Sequence, residues 1–273
     1  MIKAKKSLGQ NFLKNKKVLE KISNFSKYND IVLEIGPGKG ALTEYLLQKF
    51  EKVIAIEKDS RLIDFLKEKF SEEIQAGKFE LFEGDALEIN YSKIGLENKK
   101  FSIIANLPYY ITGKFLALSL ENSNQPREII LMLQKEIVER ITGEERKNNK
   151  KIQNQKENIL SISVKVYGEA KYLMTVSKKN FSPEPKIDSA VLGIFNISKD
   201  FFEKNKIQEK DFFDFIKIAF SSKRKKVIKN LSQNFEKEKI EKVFESLNLN
   251  KNSRAEDLVL DDFKNIFLEL NLK

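Results

Sequence analysis

The 273-residue sequence contains no cysteine and no histidine. Without cysteine there are no disulfides and no thiolate metal sites, and this composition fits a cytoplasmic protein. Without histidine there is no Ser-His-Asp or Cys-His catalysis, and most kinds of zinc site are also excluded. We therefore expect no bound metal, and any reaction must use carboxylates, amides, lysines, backbone groups or an organic cofactor.

Long hydrophobic runs are missing as well. No segment approaches the run of about eighteen apolar residues that a transmembrane helix needs, so no membrane partner is expected. Hydrophobic residues make up 41% of the chain and charged residues 33%, which is the composition of an ordinary folded protein. The length is enough for one or two domains with a buried core.

The sequence has fewer acidic than basic residues: 40 aspartates and glutamates against 50 lysines and arginines, which gives a net charge of +10. Such a surplus favours a polyanionic partner, although a solvated surface charge is the simpler interpretation of any single lysine. Basic residues cluster before Val18 and again in a segment predicted to be helical. The second cluster is the candidate RNA-binding segment and comprises Lys223, Arg224, Lys225, Lys226 and Lys229.

Strands and helices alternate from about residue 30. Five short apolar runs are typical of buried strands, at residues 31–35, 53–56, 79–82, 101–105 and 129–133. Strands separated by amphipathic helical segments predict an α/β fold, with a parallel, Rossmann-like sheet and helices on both faces. Ligands collect at the carboxyl ends of such strands. The first four runs lead to Gly36, Glu57, Asp85 and Asn106.

After the fifth strand the sequence predicts a loop, then a further pair of strands, and finally a helical region. Residues 144–158 are polar and without periodicity, which predicts a loop. Residues 159–176 and 190–197 are predicted to be an antiparallel pair of strands that completes the sheet. Beyond about residue 200 the pattern is helical, so we place the domain boundary there, with a first domain at 1–199 and a small all-α domain at 200–273.

Three features along the predicted sheet edge suit an adenosine cofactor without phosphates. The loop Gly36–Gly40 has the spacing G-x-G-x-G, and Pro37 lacks an amide that a phosphate could use. Glu57 could accept hydrogen bonds from ribose hydroxyls, and Asp85 from an adenine amino group. Taken singly, these features are also typical of a tight turn and of surface carboxylates. Together they favour S-adenosylmethionine over NAD.

The fourth feature is the run Asn106-Leu107-Pro108-Tyr109-Tyr110. Alone it would indicate a turn with two partly buried tyrosines. Beside an adenosine site it suits chemistry at an exocyclic amine, because the Asn106 carbonyl and a neighbouring backbone carbonyl could accept both N–H groups. Tyr109 would then stack on the extruded base. This chemistry needs no general base, in agreement with the absence of histidine.

Five motifs in the same order resemble the KsgA/RsmA family of small-subunit rRNA adenine N6,N6-dimethyltransferases, relatives of the Erm methyltransferases. They are Gly9–Leu13, Glu34–Gly40, Gly84–Ala86, Asn106–Tyr110 and Phe181–Ser189. The resemblance implies a class I methyltransferase domain that uses S-adenosylmethionine. It also implies a substrate of two adjacent adenines in the 3′-terminal hairpin of 16S rRNA, within the small ribosomal subunit or its precursor.

The resemblance also assigns roles to residues. Asn11 and Leu13 would contact the methionine end of the cofactor, and the glycine loop, with Gly36 and Gly38, would lie against it. Glu57 would hold the ribose and Asp85 the adenine. The catalytic group would comprise Asn106, Leu107, Pro108, Tyr109 and Phe181, with Asn106 between cofactor and target amine and Phe181 sandwiching the target base opposite Tyr109.

Two alternatives stay open within this interpretation. The first is an Erm-like enzyme acting on 23S rRNA, and the second is a ribosome assembly factor that keeps the fold without the activity. The form Asn-Leu-Pro-Tyr-Tyr and the late run Ser253–Leu258 resemble the KsgA/RsmA enzymes more than Erm. The segment 144–158 lacks that family's usual Tyr-Gly-Arg, and a monomer is the default expectation for the oligomeric state.

Overall fold

The structure is a computed structural model that describes residues 10–145, 150–151 and 156–271. These residues form two compact units. The first comprises 10–139 and 168–197, and the second comprises 198–271 together with the described residues of 140–167. The second unit thus also contains a segment that precedes the expected boundary at 199/200.

A seven-stranded sheet organises the first unit. Its strands are β2 (Ile31–Ile35), β3 (Lys52–Glu57), β4 (Phe79–Glu83), β5 (Ser102–Asn106), β6 (Glu128–Gln134), β9 (Glu169–Val176) and β11 (Ser189–Phe195). Their order across the sheet is β4-β3-β2-β5-β6-β11-β9. The five strands from β4 to β6 are parallel, and β11 runs antiparallel to both β6 and β9. The α/β sheet with an antiparallel pair that the sequence predicts is therefore confirmed.

The strand order reverses direction at β2. From β2 the chain moves outward through β3 to β4, and it then returns to the other side of β2 to form β5 and β6. Because crossovers between parallel strands are right-handed, this reversal sends the connecting helices to opposite faces of the sheet. It also leaves a crevice between the carboxyl ends of β2 and β5, which is where open α/β sheets bind ligands.

Six helices belong wholly or mostly to the first unit. They are α1 (Lys16–Asn24), α2 (Thr43–Lys49), α3 (Ser60–Lys69), α4 (Ser71–Gln75), α5 (Thr112–Glu121) and most of α6 (Lys135–Thr142). Two of them start where the sequence supplies a cap. The Asn15 side chain accepts from the Val18 amide at the start of α1, and the Asp59 side chain accepts from the Arg61 amide at the start of α3.

Apolar side chains from these helices and from the strands form one continuous core. Leu46, Phe50, Val53 and Leu66 are each at most 1% exposed, so their burial makes the sheet and its helices cooperative. The core also includes Leu13 and Phe181, which lie on two short strands outside the main sheet.

Those two strands join distant parts of the chain. β1 (Phe12–Leu13) pairs antiparallel with β10 (Phe181–Ser182), with Leu13 opposite Phe181. The pairing continues as the Lys14 amide donates to the Asn180 carbonyl at 2.9 Å. The segment Gln10–Lys14, here called the N-terminal arm, is thereby fixed to the surface of the first unit.

The prediction of a strand over 159–167 is wrong, because these residues form helix α7 (Ile159–Tyr167). The alternation of Ile162, Val164 and Val166 with polar residues suggests a strand. The decisive signal is a reciprocal cap, in which the Asn158 side chain accepts from the Ser161 amide at 3.0 Å and Ser161 Oγ accepts from the Asn158 amide at 2.9 Å. Buried residues on most sides of α7 explain the lack of a helical stripe.

The polar segment 144–158 is also not entirely a loop. β7 (Glu144–Glu145) and β8 (Lys150–Lys151) pair antiparallel, with Glu144 opposite Lys151. Residues 146–149 and 152–155 lie outside the described residues, so the loop prediction stays a prediction for them.

The second unit is helical, as expected. Its core is rich in phenylalanine: Phe212 lies within 5.2–6.4 Å, between ring centroids, of Phe201, Phe215 and Phe267. Such aromatic pairs add about 0.5–1.5 kcal/mol each beyond their buried area. Besides α7, its helices are α8 (Asp200–Asn205), α9 (Glu209–Ala219), α10 (Val227–Leu231), α11 (Lys237–Ser246) and α12 (Leu260–Asn271).

The helix predicted for the basic segment begins later than expected. Residues 223–226 form a turn, and α10 starts at Val227. The reason is a backbone pairing: Lys226 forms an isolated bridge with Arg254, and the Val227 amide donates to the Ser253 carbonyl at 2.9 Å. Among the described residues, no helix has both the length and the apolar character needed to cross a membrane.

Candidate active site

A cavity opens at the carboxyl ends of β2, β3, β4 and β5. Its walls include the residues that follow those strands in the sequence, together with the N-terminal arm. The four positions Gly36, Glu57, Asp85 and Asn106 all line it. The structure thus brings together residues that the sequence places at four separate strand ends.

The glycine loop after β2 forms one wall. Gly36, Gly38 and Gly40 have φ angles of +64°, +60° and +74°, which only glycine adopts readily. A Cβ built on Gly36 would meet no heavy atom within 4 Å and would project into open space, whereas one on Gly38 would lie 3.0 Å from Phe12 Cε1. Glycine at position 36 therefore keeps the cavity open, and glycine at position 38 allows the arm to approach.

Glu57 is fixed by backbone amides at the floor of the cavity. Its Oε2 accepts from the Gly38 amide at 3.1 Å, and its Oε1 accepts from the Asp59 amide at 2.8 Å. Burial raises the pKa of Glu57, while these amide hydrogen bonds oppose the rise. A carboxylate accepts about four hydrogen bonds in total, so Glu57 has lone pairs left for a ligand's hydroxyls.

Asp59 anchors the N-terminal arm beside Glu57. The Gln10 side-chain amide donates to Asp59 Oδ2 at 3.0 Å, and Arg61 binds the same carboxylate through two nitrogens at 2.8 and 2.6 Å. The hydrogen bonds from Arg61 keep the pKa of Asp59 far below its usual range. Because Asp59 stays ionised, it holds Gln10 at any pH near neutrality.

Asp85 lies in an ion pair at the cavity wall. Lys58 Nζ is 2.7 Å from Asp85 Oδ2, and the Leu87 amide donates to Oδ1 at 2.9 Å. The hydrogen bond from Lys58 is the main cause that lowers the pKa of Asp85. Sequence reasoning did not include Lys58 in the site, although it follows Glu57 directly and lines the cavity.

Asn106 faces the N-terminal arm across the cavity. Its Nδ2 donates to the backbone carbonyl of Asn11 at 3.3 Å. A planar amide held by its nitrogen has its oxygen on the opposite side, so Oδ1 is the atom presented as an acceptor. Leu107 is buried and Pro108 is half-buried, and the only cis peptide bond in the described chain is Ser182–Pro183. The Leu107–Pro108 bond is therefore trans.

The structure places Phe181 differently from the expectation. Its ring is only 5% exposed and belongs to the apolar core, and Phe181 does not line the cavity. Pairing of β10 with β1 places Phe181 opposite Leu13, within the core. Its base-stacking role therefore stays a prediction. The side chain of Tyr109, the expected opposite face of that sandwich, lies outside the described part of the chain. Its neighbour Tyr110, which the sequence reasoning left without a role, lines the cavity.

Glu34 is a second carboxylate that sequence reasoning left without a role. It lines the cavity, is 1% exposed, and accepts from Thr43 Oγ at 2.7 Å through Oε2. Burial raises the pKa of Glu34 to about 8. The hydrogen bond from Thr43 lowers this pKa, and the negative charge of Glu57 raises it further. Its place before Ile35 and Gly36, at the end of a buried strand, was the available signal.

The residues present fit an adenosine-type cofactor that carries no phosphate. Two glycines, Gly36 and Gly84, have open space where a side chain would project, which leaves room for a ligand against the backbone. Carboxylates suit ribose hydroxyls, an adenine amino group and a cationic sulfonium. Within the described residues, no group of three or more aspartates and glutamates is arranged to hold a metal ion.

Comparisons with known proteins agree with this site. The family model described as "Ribosomal RNA adenine dimethylase" matches residues 1–272. The chain belongs to this family. Among its relatives is the ribosomal RNA small subunit methyltransferase A of Fusobacterium nucleatum, which is 38% identical over 96% of this chain and 95% of the relative. The protein of the same name from Campylobacter hominis is 39% identical over 99% and 97% of the two chains.

Two solved structures share the fold. A dimethyladenosine transferase from Plasmodium falciparum has a TM-score of 0.74 and 29% identity, covering 95% of this chain and 97% of that one. The 23S rRNA methyltransferase ErmE has a TM-score of 0.71 at 20% identity, covering 96% and 100%, which concerns the fold alone. As a member of the ribosomal RNA adenine dimethylases, the protein is a methyltransferase with an rRNA substrate, and its cofactor is S-adenosylmethionine.

Proposed function

We propose that the protein transfers methyl groups to N6 of two adjacent adenines in the 3′-terminal hairpin of 16S rRNA during biogenesis of the small ribosomal subunit. The observation that carries the proposal is the Asn106 amide, held through its nitrogen by Asn11 at the edge of the cofactor cavity. The names of the relatives, which are 35–40% identical over nearly the whole chain, support the small subunit as the particle that is modified.

Asn106 would polarise the target amine. The exocyclic nitrogen of adenine is a poor nucleophile, because its lone pair is delocalised into the ring. If Asn106 Oδ1 accepts one N–H and the backbone carbonyl of Leu107 accepts the other, the nitrogen becomes more tetrahedral and its developing positive charge is stabilised. Pro108 restricts the backbone that presents this carbonyl. The proton that the amine loses passes to solvent, so no basic side chain is needed.

The other cavity residues would orient the cofactor. S-adenosylmethionine supplies an electrophilic methyl group when it is bound. Glu57, already positioned by two amides, would accept from the ribose hydroxyls. Asp85 would accept from the adenine amino group, sharing its oxygens with Lys58 and the Leu87 amide. Gly36 and Gly38 would lie against the cofactor, and Asn11 and Leu13 of the arm would cover its methionine end.

The turn at residues 223–226 is our candidate for an rRNA backbone contact. Lys223, Arg224, Lys225 and Lys226 are all exposed there, and the bridge with Lys226 brings exposed Arg254 next to them. A group of cations on one rigid turn suits phosphate binding through counterion release. The bridge between Lys226 and Arg254 adds Arg254 to this candidate RNA-binding group. The sequence alone does not indicate that Arg254 belongs to it. From the rRNA substrate and the absence of cysteine we also infer a cytoplasmic protein, and a monomer stays the default expectation for its oligomeric state.

The test is methyl transfer from radiolabelled S-adenosylmethionine to unmethylated small ribosomal subunits, with large-subunit RNA as the control substrate. We expect label as N6,N6-dimethyladenosine in the small-subunit RNA only. Label in large-subunit RNA alone would favour the Erm-like alternative, and no label in the presence of cofactor binding would favour the assembly factor.

A matched pair of variants tests the role of Asn106 in the same assay. We expect Asn106→Ala to fold and bind the cofactor but to lose about 100- to 1000-fold in kcat, as happens when one oxyanion-hole donor or equivalent polar group is removed. The control is Asn234→Ala, at an exposed asparagine of the second unit, which should keep wild-type turnover. Wild-type turnover in Asn106→Ala would contradict the polarising role.

A further inference from the structure

Tyr110 is an exposed aromatic ring on the wall of the cavity. At 63% exposure it is the most exposed of the large hydrophobic side chains in the described chain, where the others reach at most 52%. Single exposed apolar residues are common and need no explanation. The position of this one is different, since it follows the Asn106–Pro108 segment directly and belongs to the same cavity lining.

Two lysines accompany the ring. Lys58 follows β3 directly and lines the same cavity as Tyr110. Lys114 is exposed in the first turn of α5, one helical turn beyond Tyr110, and its charge contributes to lowering the pKa of Asp85. Within the described chain Lys114 forms no ion pair, while Lys58 pairs with Asp85.

An exposed aromatic ring flanked by lysines is the chemistry of single-stranded nucleic-acid binding. Base–aromatic stacking and neutralised phosphates are its two components. An adenine that enters the cavity must leave its stack, and the neighbouring base then loses a stacking partner. A ring at the cavity wall next to the amine-binding residues is well placed to replace that partner.

We propose that Tyr110 stacks on the nucleotide adjacent to the adenine being methylated, and that Lys114 neutralises its phosphate. This inference rests on the proposed function, and it adds a binding position for the second of the two adjacent adenines. Tyr110 and Lys114 would be positioning residues that lower the KM for the ribosomal particle.

The experiment compares Tyr110→Ala, Tyr110→Phe and Lys114→Ala with wild type. The measurements are kcat and KM for unmethylated small subunits, the dissociation constant of S-adenosylmethionine, and the ratio of dimethyladenosine at the two adenines. The control is Phe65→Ala, which removes a 37% exposed ring of α3 that does not line the cavity.

We expect Tyr110→Ala to raise KM by about tenfold, since the loss of one base–aromatic stack lowers affinity by roughly 5- to 150-fold. Tyr110→Phe should remain near wild type, because the ring is retained, and Lys114→Ala should raise KM and weaken its dependence on salt. Cofactor affinity should stay within about twofold of wild type in all variants.

Two outcomes would overturn the inference. An unchanged KM in Tyr110→Ala would remove the stacking role, and an equal loss of cofactor affinity would assign the ring to the cofactor. A wild-type protein that fails to label small subunits would contradict the proposed function itself, so the two failures are distinguishable.

Discussion

The Asn106 side chain donates through Nδ2 to the backbone carbonyl of Asn11 at 3.3 Å. This bond joins the strand end β5 to the N-terminal arm, and it decides which atom of the amide is available to a substrate. The arm is held in turn by Gln10 at Asp59 and by the pairing of β1 with β10. The geometry of Asn106 therefore depends on interactions along the whole arm.

The burial of Phe181 predicts a structural effect of its removal. Phe181→Ala should lower the free energy of unfolding by about 3–5 kcal/mol, because a ring in the core is removed and a cavity remains. Urea denaturation measures this. The comparison is Phe65→Ala, which removes a 37% exposed ring of the same unit and should cost less stability than removal of the buried Phe181 ring. Wild-type stability with weakened RNA binding would instead support the base-stacking role expected from the sequence.

The buried Glu34 predicts a pH dependence of stability. Its pKa is raised from 4.5 to about 8 by burial, so between these values the folded protein binds a proton that the unfolded chain has released. Stability should therefore fall as the pH rises from about 4.5 to about 8, and then level off. Thr43, Glu57 and Lys69 are the groups that act on this carboxyl.

The matched variant is Glu34→Gln, which keeps an acceptor for Thr43 but cannot ionise. Urea midpoints at pH 5, 7 and 9 should fall less steeply in this variant than in wild type. The urea midpoint of the variant should still fall somewhat as the pH rises, because burial also raises the pKa of Glu57. Identical slopes in both proteins would show that Glu34 does not titrate in this range.

Comparing an alanine substitution at Gly36 with one at Gly77 separates the effect of backbone strain from the effect of a side chain that fills the cavity. Gly36 and Gly77 have φ angles of +64° and +70°, and a Cβ on either would meet no heavy atom within 4 Å. Alanine should cost about 1–2 kcal/mol of stability at both positions. Only Gly36 lines the cavity, so only Gly36→Ala should weaken cofactor binding, by about tenfold or more. Calorimetric titration with S-adenosylmethionine measures this, and equal affinities in the two variants would contradict the proposed cofactor position.

The basic turn predicts a change in salt dependence. Replacing Arg224 and Lys225 by glutamate should lower rRNA affinity and reduce the slope of log K against log salt by about 0.7–0.9 for each phosphate group that the turn no longer neutralises. Lys210→Glu is the control, because Lys210 is exposed on α9 and paired with Asp214 at 2.8 Å. A slope that is the same in the turn variant and in wild type would locate the RNA elsewhere on the protein.

The strand ends of the site could be predicted from the sequence for a physical reason. Each of Gly36, Glu57, Asp85 and Asn106 interrupts or follows a run of apolar residues, and parallel strands bring such positions to one edge. Burial on both faces of the sheet makes the runs continuous and easy to recognise.

Other features had no such signal. A pair of two-residue strands such as β1 and β10 shows no periodicity, so neither the arm nor the inward position of Phe181 could be deduced. In α7 the apolar residues alternate as in a strand, and only the pairing of Asn158 with Ser161 reveals the helix. The turn at 223–226 is fixed by residues 253–254, far along the chain.

The pairing of β1 with β10 also constrains the order of events during synthesis. Phe12 and Leu13 leave the ribosome early, yet their partners at Phe181 and Ser182 are made much later, and the side chains of Asn15 and Asn180 that meet beside them are 165 residues apart. Contacts of such long sequence separation form late in folding. The wall that Asn11 and Phe12 contribute is therefore completed only after translation has passed Ser182, so a nascent chain acquires its full cofactor cavity at that point and not when the glycine loop first appears.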